Sequence, residues 1–344
     1  MSRVDVVVPC YNYGRYLAGC VGSVLEQPGV DVRVLIIDDC SSDDSAAIGR
    51  ALAQADPRVE FRRHAVNAGQ IATYNEGLLD WARGDYSLLL SADDLLAPGA
   101  LARAVRIMDA DRRIGLVYGR CPSFSNERQL PQNLPREAGY TRWPGRQWLA
   151  GRCRAGHNVI SSPEAVVRGS VQRAVGGYRP ELPHAGDLEM WMRVAVRSDV
   201  AYVKGPPQAF YRVHAFGVLR ARYRGKLTDL EQRKTAFDTF FRAHPDLPNA
   251  GALADLAART LAREALWEAC RAYDRNEVEQ ADVRGLEAFA MQTWAGATPE
   301  LRALKRRRQL GAALCHRTQL FALPAALRRM QRWWGRERWK RYGV

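Results

Sequence analysis

The sequence predicts an α/β protein with a mostly parallel central sheet, followed by a helical C-terminal region. Two patterns predict it. Through residues 1–120, short β-branched apolar runs alternate with segments of helical period, the arrangement that builds parallel strands joined by crossover helices. From Val218 onward strand signals stop, and the chain becomes Ala-, Leu- and Arg-rich with helical period. With 344 residues, 47% of them hydrophobic and 26% charged, the composition is that of a globular protein with a large core.

The elements follow in order. Val4–Val8, ended by Pro9, reads as a buried parallel strand, and Tyr16–Leu25 as a helix. Val32–Ile37 is a second buried strand closed by Asp38 and Asp39, and Ser42, Asp43 and Asp44 offer N-cap chemistry for a helix through Ala55. Val59–Arg62 is a weaker strand and Ile71–Ala82 a third helix. Tyr86–Leu90 is a fourth strand, then Asp93 and Asp94 precede a helix opened by Pro98, and Leu116–Tyr118 is a fifth strand. Residues 120–160, with Pro122, Pro131, Pro135, Pro144 and several Gly, read as loops and short irregular strands. Asp187–Arg197 is helical, Val200–Val203 and Ala209–Val213 are short strands, and helices fill 218–295. The expected organisation is a catalytic-type α/β domain over 1–217, a helical region over 218–301 and a basic helical tail over 302–344.

Charge is distributed unevenly. The formal net charge is +14, but Arg302–Val344 holds thirteen Lys/Arg against one acid, Glu337, so this tail carries +12 and the remainder +2. A nucleic-acid-binding domain spreads its bases over the folded surface that grips phosphate; this body has no such excess, and nucleic acid is not an expected partner. The seven cysteines (Cys10, Cys20, Cys40, Cys121, Cys153, Cys270, Cys315) form no C-x-x-C pair, which argues against a disulfide framework or zinc cluster and suits a reducing compartment. No apolar run approaches the roughly 20 residues of a membrane span, and no leader precedes the first strand, so a cytoplasmic location is expected.

Ligands of a parallel α/β sheet bind at the carboxyl ends of its strands. Polar residues collect there in PCYN (Pro9–Asn12), DDCSSDD (Asp38–Asp44), NAGQIATYNEG (Asn67–Gly77) and SADD (Ser91–Asp94), with a later acidic cluster in GDLEMW (Gly186–Trp191). Neither a dinucleotide-binding G-x-G-x-x-G nor a P-loop is present. Taken together, VDVVVPCYN, LIIDDCSSDD, NAGQIATYNEGL, GDYSLLLSADD, GDLEMWMR and YRVH occur in an order and spacing that resembles the inverting family 2 glycosyltransferases of the GT-A fold, over roughly residues 3–214.

The resemblance implies a nucleotide-diphosphate-sugar donor, a UDP-sugar in the first instance, and a divalent cation, Mn²⁺ or Mg²⁺. Tyr11 beside Pro9 and Asn12 offers an aromatic face to the nucleobase. Asp39 and Asp38 would accept hydrogen bonds from the uracil imide or ribose. Asn67, Gly69 and Gln70 match the family's base- and ribose-side loop, where a glycine lets backbone approach the ligand. SADD stands at the family's D-x-D metal motif, with Ser91 in place of the commoner first Asp; Asp93 falls to the ribose and metal side and Asp94 to the metal. Inversion needs one general base near the acceptor hydroxyl. The family places an acidic pair at that helix start; here the pair is Gly186 and Asp187, which leaves Asp187 as base and Glu189 as competitor. His214, in YRVH, aligns with a position near the diphosphate and metal, with Arg212 two residues before it. His184 is close to Asp187 in sequence. The acceptor, a saccharide, lipid-linked saccharide or small molecule, has no motif of its own. Two other readings stand beside this one: a non-catalytic nucleotide-sugar or carbohydrate-binding protein, given Ser91 and Gly186, and a basic membrane- or RNA-bound scaffold.

In the tail, Leu320, Leu323, Leu327, Met330 and Trp334 fall on one helical stripe, Arg328, Arg329, Arg332 and Arg336 fall mostly elsewhere, and Pro324 kinks the helix or starts its second half. Basic amphipathic helices with Trp lie in membrane interfaces, so a peripheral position on an anionic membrane is expected; packing of this helix on the body is the competing expectation.

Overall fold

The computed structural model describes residues 1–214, 225–296 and 298–344, without the side chains of Pro324 and Arg332. The expected boundary at 217/218 therefore lies outside the described residues. The chain divides into two compact units. The first comprises 1–149, 158–217 and 340–343; the second comprises 150–157, 218–339 and Val344.

The first unit is built on β1 (Arg3–Cys10), β2 (Asp31–Asp38), β3 (Val59–Arg63), β4 (Tyr86–Leu89), β5 (Leu95–Leu96), β6 (Ile114–Arg120), β7 (Ser123–Phe124), β8 (Tyr140–Trp143), β9 (Val166–Arg168), β10 (Asp199–Pro207) and β11 (Ala209–Arg212). Its helices are α1 (Gly14–Leu25), α2 (Ser45–Ala55), α3 (Gln70–Asn75), α4 (Ala100–Ala110), α6 (Gly169–Val175) and α7 (Gly186–Arg197); α5 (Gly145–Ala155) begins in it. Glu76–Trp81 continues α3 as a single π-helical turn.

The main sheet runs β3-β2-β1-β4-β9-β6-β10-β8. Pairs β1/β2, β2/β3, β1/β4 and β6/β10 are parallel, and β9 enters antiparallel between β4 and β6. The strands read as continuous apolar runs because both faces are covered: Val4, Val6, Val8, Ile36 and Leu88 pack with Leu17, Val21, Leu101 and Met108 of α1 and α4 in one core. One polar residue interrupts the first run. Asp5 is fully buried and matched by a bidentate Arg33 contact at 2.8–2.9 Å and by the Arg83 and Gly84 amides at 2.7 Å, as a buried charge requires.

Several details differ from the sequence expectations. Residues 145–155, expected as loop, are helical; the helix 169–175 and the main-sheet strand Val166–Arg168 lie where no element was expected. The first of these helices is marked by Trp148, Leu149 and Cys153, all buried at helical spacing, which the surrounding glycines and prolines obscured. At α2 the acceptor is Asp43, one residue earlier than the formal cap: its Oδ1 takes the Ser45 amide at 3.0 Å and its Oδ2 the Gly14 amide at 3.0 Å, joining the starts of α1 and α2.

The second unit is helical, with α8 (Lys226–Ala243), α9 (Ala250–Arg275), α10 (Val283–Thr293), α11 (Pro299–Leu310), α12 (Ala312–Thr318) and α13 (Ala322–Tyr342). The tail is thus three helices, broken at Gly311 (φ 80°) and Gln319 (φ 51°), and Pro324 falls in the first turn of α13, where its missing N–H has no cost.

Candidate active site

The register of the main sheet brings the polar strand ends together. Cys10 pairs with Asp38, Val7 with Leu89, and the ladder extends beyond β4 through the Leu90 and Ala92 amides onto the Val7 and Pro9 carbonyls. Pro9–Asn12, Asp38–Asp39 and Ser91–Asp94 consequently share the carboxyl end of three adjacent strands, the position where α/β sheets bind ligands.

Asp39 organises the loop that follows β3. Its Oδ1 accepts the Ala68 amide at 2.7 Å and its Oδ2 the Gly69 amide at 2.9 Å, while Asn67 Nδ2 donates to its backbone carbonyl at 3.1 Å. Gly69, at φ 87°, opens α3 in a conformation that a side chain disfavours. His64 ties the same carboxylate to Glu76, its Nδ1 2.7 Å from Asp39 Oδ1 and its Nε2 2.7 Å from Glu76 Oε2. Burial lowers the imidazole pKa, but the hydrogen bonds to the two carboxylates outweigh it and hold it above its usual value. Asp38 is buried, accepting the Ser41 amide at 3.2 Å and facing Arg63 at 3.1 Å. Asn12, at φ 58°, is a brace between strand ends: its amide donates to Ser41 and its Oδ1 accepts from Ser42 at 2.8 Å. Tyr11 stays 45% exposed, its ring accessible at the rim. Gln70 donates to the Tyr74 hydroxyl.

Asp93 and Asp94 are nearly buried neighbours. Ser91 Oγ donates to Asp93 Oδ1 at 2.7 Å, so the serine at the departed position supports the carboxylate beside it. Asp93 Oδ2 lies 3.0 Å from His214 Nε2, and Asp94 Oδ1 accepts the Arg212 amide at 2.8 Å. The Arg212 guanidinium is spent elsewhere, on the Asp93 carbonyl and Glu127, sandwiched between the Tyr16 and Phe124 rings at 4.4 Å each. Burial and the adjacent Asp93 charge push the Asp94 carboxyl well above its usual range.

Asp187 sits in the first turn of α7, with its carboxylate turned away from helix capping: Oδ2 accepts from Ser162 Oγ at 2.9 Å. Ser162 is held by the turn in which the Ser161 amide donates to the buried Glu164 at 2.8 Å. Burial raises the Asp187 pKa, opposed by the hydrogen bonds and by His184. The competing acid has a different role. Glu189 is fully buried rather than solvent-facing, gripped by Arg179 at 2.8 Å and Arg193 at 2.9 Å. It holds the loop before α7 onto the helix. Glu189→Gln therefore removes the buried charge between two arginines, leaves Arg193 without a carboxylate, and lowers stability by about 3 kcal/mol; an unchanged denaturation midpoint would remove this role.

Two residues without a sequence signal connect these groups. Asn75 mimics a strand partner for residue 178, donating to the Tyr178 carbonyl at 2.8 Å and accepting its amide at 2.7 Å across 103 positions of sequence. Tyr74, edge-on to Tyr178 with centroids 5.4 Å apart, is partly buried and has its hydroxyl pKa raised by desolvation and then by the charges of Asp187, Asp93 and Asp94. Asn75→Ala strands two backbone groups, and a loss of about 2 kcal/mol is expected in chemical denaturation; no loss would show that water replaces the amide.

Residues 5–162 match the profile described as glycosyl transferase family 2. These residues form a family 2 glycosyltransferase domain. An uncharacterized protein of Mycobacterium tuberculosis is 30% identical over 210 residues, 58% of this chain and 64% of its own length. Glycosyltransferase GlyG of Streptococcus pneumoniae is 32% identical over 126 residues, 36% of this chain and 42% of its own length. The chain thus spans less than two thirds of these curated relatives. The structure of S. aureus TarS 1-349 in complex with UDP-GlcNAc superposes with a TM-score of 0.62 at 15% identity, covering 94% of this chain and 92% of that one. The chain has the GT-A fold, and Pro9–Asn12, Asp38–Asp39 and Ser91–Asp94 sit at one end of its sheet.

Proposed function

We propose that this chain is an inverting glycosyltransferase that moves a sugar from a nucleoside-diphosphate donor, UDP-linked, onto an acceptor hydroxyl, with Asp187 as general base. The observation that supports the reading most directly is the gathering of Pro9–Asn12, Asp38–Asp39 and Ser91–Asp94 at the carboxyl end of three adjacent strands, with Tyr74 of α3 packed edge-on to Tyr178 and its hydroxyl pKa raised by desolvation and by the charges of Asp187, Asp93 and Asp94. A single displacement requires the base on the acceptor side and the leaving diphosphate on the other.

On this reading Tyr11 stacks the base, the loop fixed by Asp39 (Asn67, Gly69, Gln70) lines the nucleoside, and Asp38 and Asn12 keep the strand ends in register. A divalent cation fits the acid pair. Among the described residues neither of the two adjacent buried carboxylates forms an ion pair with an arginine, and His214 Nδ1, buried, has no partner there. Mn²⁺ and Mg²⁺ take oxygen ligands and can be held by one or two carboxylates plus substrate phosphates. Such an ion offsets the charge that develops on the departing diphosphate. Asp94 and Asp93 would hold it, with His214 orienting Asp93. Asp187 takes the proton from the acceptor hydroxyl as its oxygen attacks the anomeric carbon, and the carbon–oxygen bond to the diphosphate breaks on the opposite face.

The test is a melting-temperature screen of UDP, UDP-sugars, GDP and GDP-sugars, each with and without Mn²⁺. A ligand bound by the native state alone raises the midpoint by mass action. A shift with a UDP compound that Mn²⁺ enlarges supports the reading, and its absence with every compound sinks it. Binding without release of UDP in the presence of simple saccharides and lipid-linked acceptors would favour a non-catalytic carbohydrate-binding role, the alternative motivated by Ser91 and Gly186.

A further inference from the structure

The long helix α13 turns its large apolar side chains outward. Leu323, Leu327, Met330 and Trp334 recur every three or four residues and so share one stripe, and they are 71%, 49%, 50% and 61% exposed. Leu320 extends the stripe and Trp333 widens it, its ring edge-on to Trp334 at 4.9 Å. The less exposed side of the helix is the opposite one, with Ala325, Arg328 and Trp339; Arg328 lies over the Trp267 ring. A helix of a water-soluble body normally places these faces the other way round.

Charge borders the stripe. At 100° per residue, exposed Arg338 lies at one edge and exposed Lys340 and Arg329 lie beyond Trp333 on the other, with Arg336 farther round the helix and Glu337 as the sole acid of the segment. Two nearby arginines are already matched, Arg307 by Asp274 at 2.8 Å and Arg308 by Glu287. Among the described residues no helix is long and apolar enough to cross a membrane.

We propose that α13 docks this chain on an anionic bilayer surface, lying in the headgroup plane with Leu323, Leu327, Met330 and Trp334 in the acyl boundary and the flanking basic residues on lipid phosphates. The bilayer is the occupant that satisfies both components. A second copy meeting face to face would bring two basic borders together, and a nucleic acid would take the arginines while leaving the leucines and tryptophans in water. An amphipathic helix with Trp on its apolar face and Arg at its margins is held by buried area and by anionic lipid together. This surface is independent of the donor reading above.

The experiment is flotation of the full chain with vesicles of phosphatidylcholine alone and of phosphatidylcholine mixed with phosphatidylglycerol. Binding to the mixed vesicles, weakened by salt, is expected. Leu327→Gln combined with Trp334→Gln should lower it at least about tenfold with the melting curve unchanged, since both side chains are already in water. Failure to float with either vesicle overturns the proposal, as does equal flotation of the double variant. So does tighter retention by polyuridylate that the double variant keeps, or a dimer in light scattering that the double variant loses.

Discussion

Asp187→Asn should reduce transfer by about 10²- to 10⁴-fold, the usual contribution of a positioned general base, with nucleotide binding and the melting curve preserved. Asparagine retains an acceptor for the Ser162 hydroxyl, 2.9 Å from the native carboxylate, but accepts no proton from substrate. The pH dependence gives a second readout. Burial raises the folded-state pKa of Asp187, and the base works ionised, so the acidic limb of kcat/KM should lie above the ordinary carboxylate range, with activity falling as pH drops through that raised value. The sign for stability is opposite. A raised folded pKa means that ionisation costs folding energy above that pKa and nothing below the unfolded one. The variant should therefore equal or exceed the native protein in stability near neutrality, and the difference should close in acid. Full activity in Asp187→Asn would remove the base and with it the proposed displacement.

Asp94→Asn should produce the second large effect, and it divides function from stability. The native carboxylate is 1% exposed beside Asp93, and among the described residues it accepts a hydrogen bond from the Arg212 amide alone, at 2.8 Å. Asparagine keeps that acceptor and removes the like-charge contact. In the absence of ligand the melting temperature should rise, by about 2 °C for each kcal/mol of relieved repulsion in a chain of this size. Mn²⁺ should no longer enlarge the thermal shift given by UDP, and transfer should fall by about 10³-fold, within the range found for lost electrostatic stabilisation of a leaving group. A variant that melts lower, or that keeps its Mn²⁺ response, would place the cation elsewhere.

What the sequence made legible follows from where each signal resides. β1, β2 and β4 were readable because a strand covered on both faces must be apolar throughout, and the acids that close them stand out against such runs. The positions of Asp38, Asp39, Asp93 and Asp94 required only that the strands be parallel and adjacent. Other parts depended on tertiary partners. Glu189 looks like an ordinary surface carboxylate of α7 until Arg179 and Arg193 are seen to close on it. Asn75 bonds a backbone that no local pattern associates with it, and His64 acquires its role from Glu76 on the turn after α3. Ser162 had a partial signal: Ser161 and Glu164 have the S-x-x-E spacing of a capping box, and that turn presents Ser162 to Asp187. Asp39 was expected to await ligand, yet both of its oxygens already receive loop amides, so its first task is to shape the loop.

The strand Val166–Arg168 has a consequence for folding order. Three residues, paired with β4 on one side and β6 on the other, are the antiparallel stitch between the half of the sheet that carries Asp38, Asp39 and Asp93 and the half that leads toward α7. During synthesis the first half can assemble from neighbouring strand-helix repeats, but the seam closes only after residue 168 has emerged. The recognisable family segment ends at residue 162, short of that stitch. A fragment trimmed to the segment that sequence comparison detects would leave β4 and β6 with open edges, and open edges are where chains aggregate.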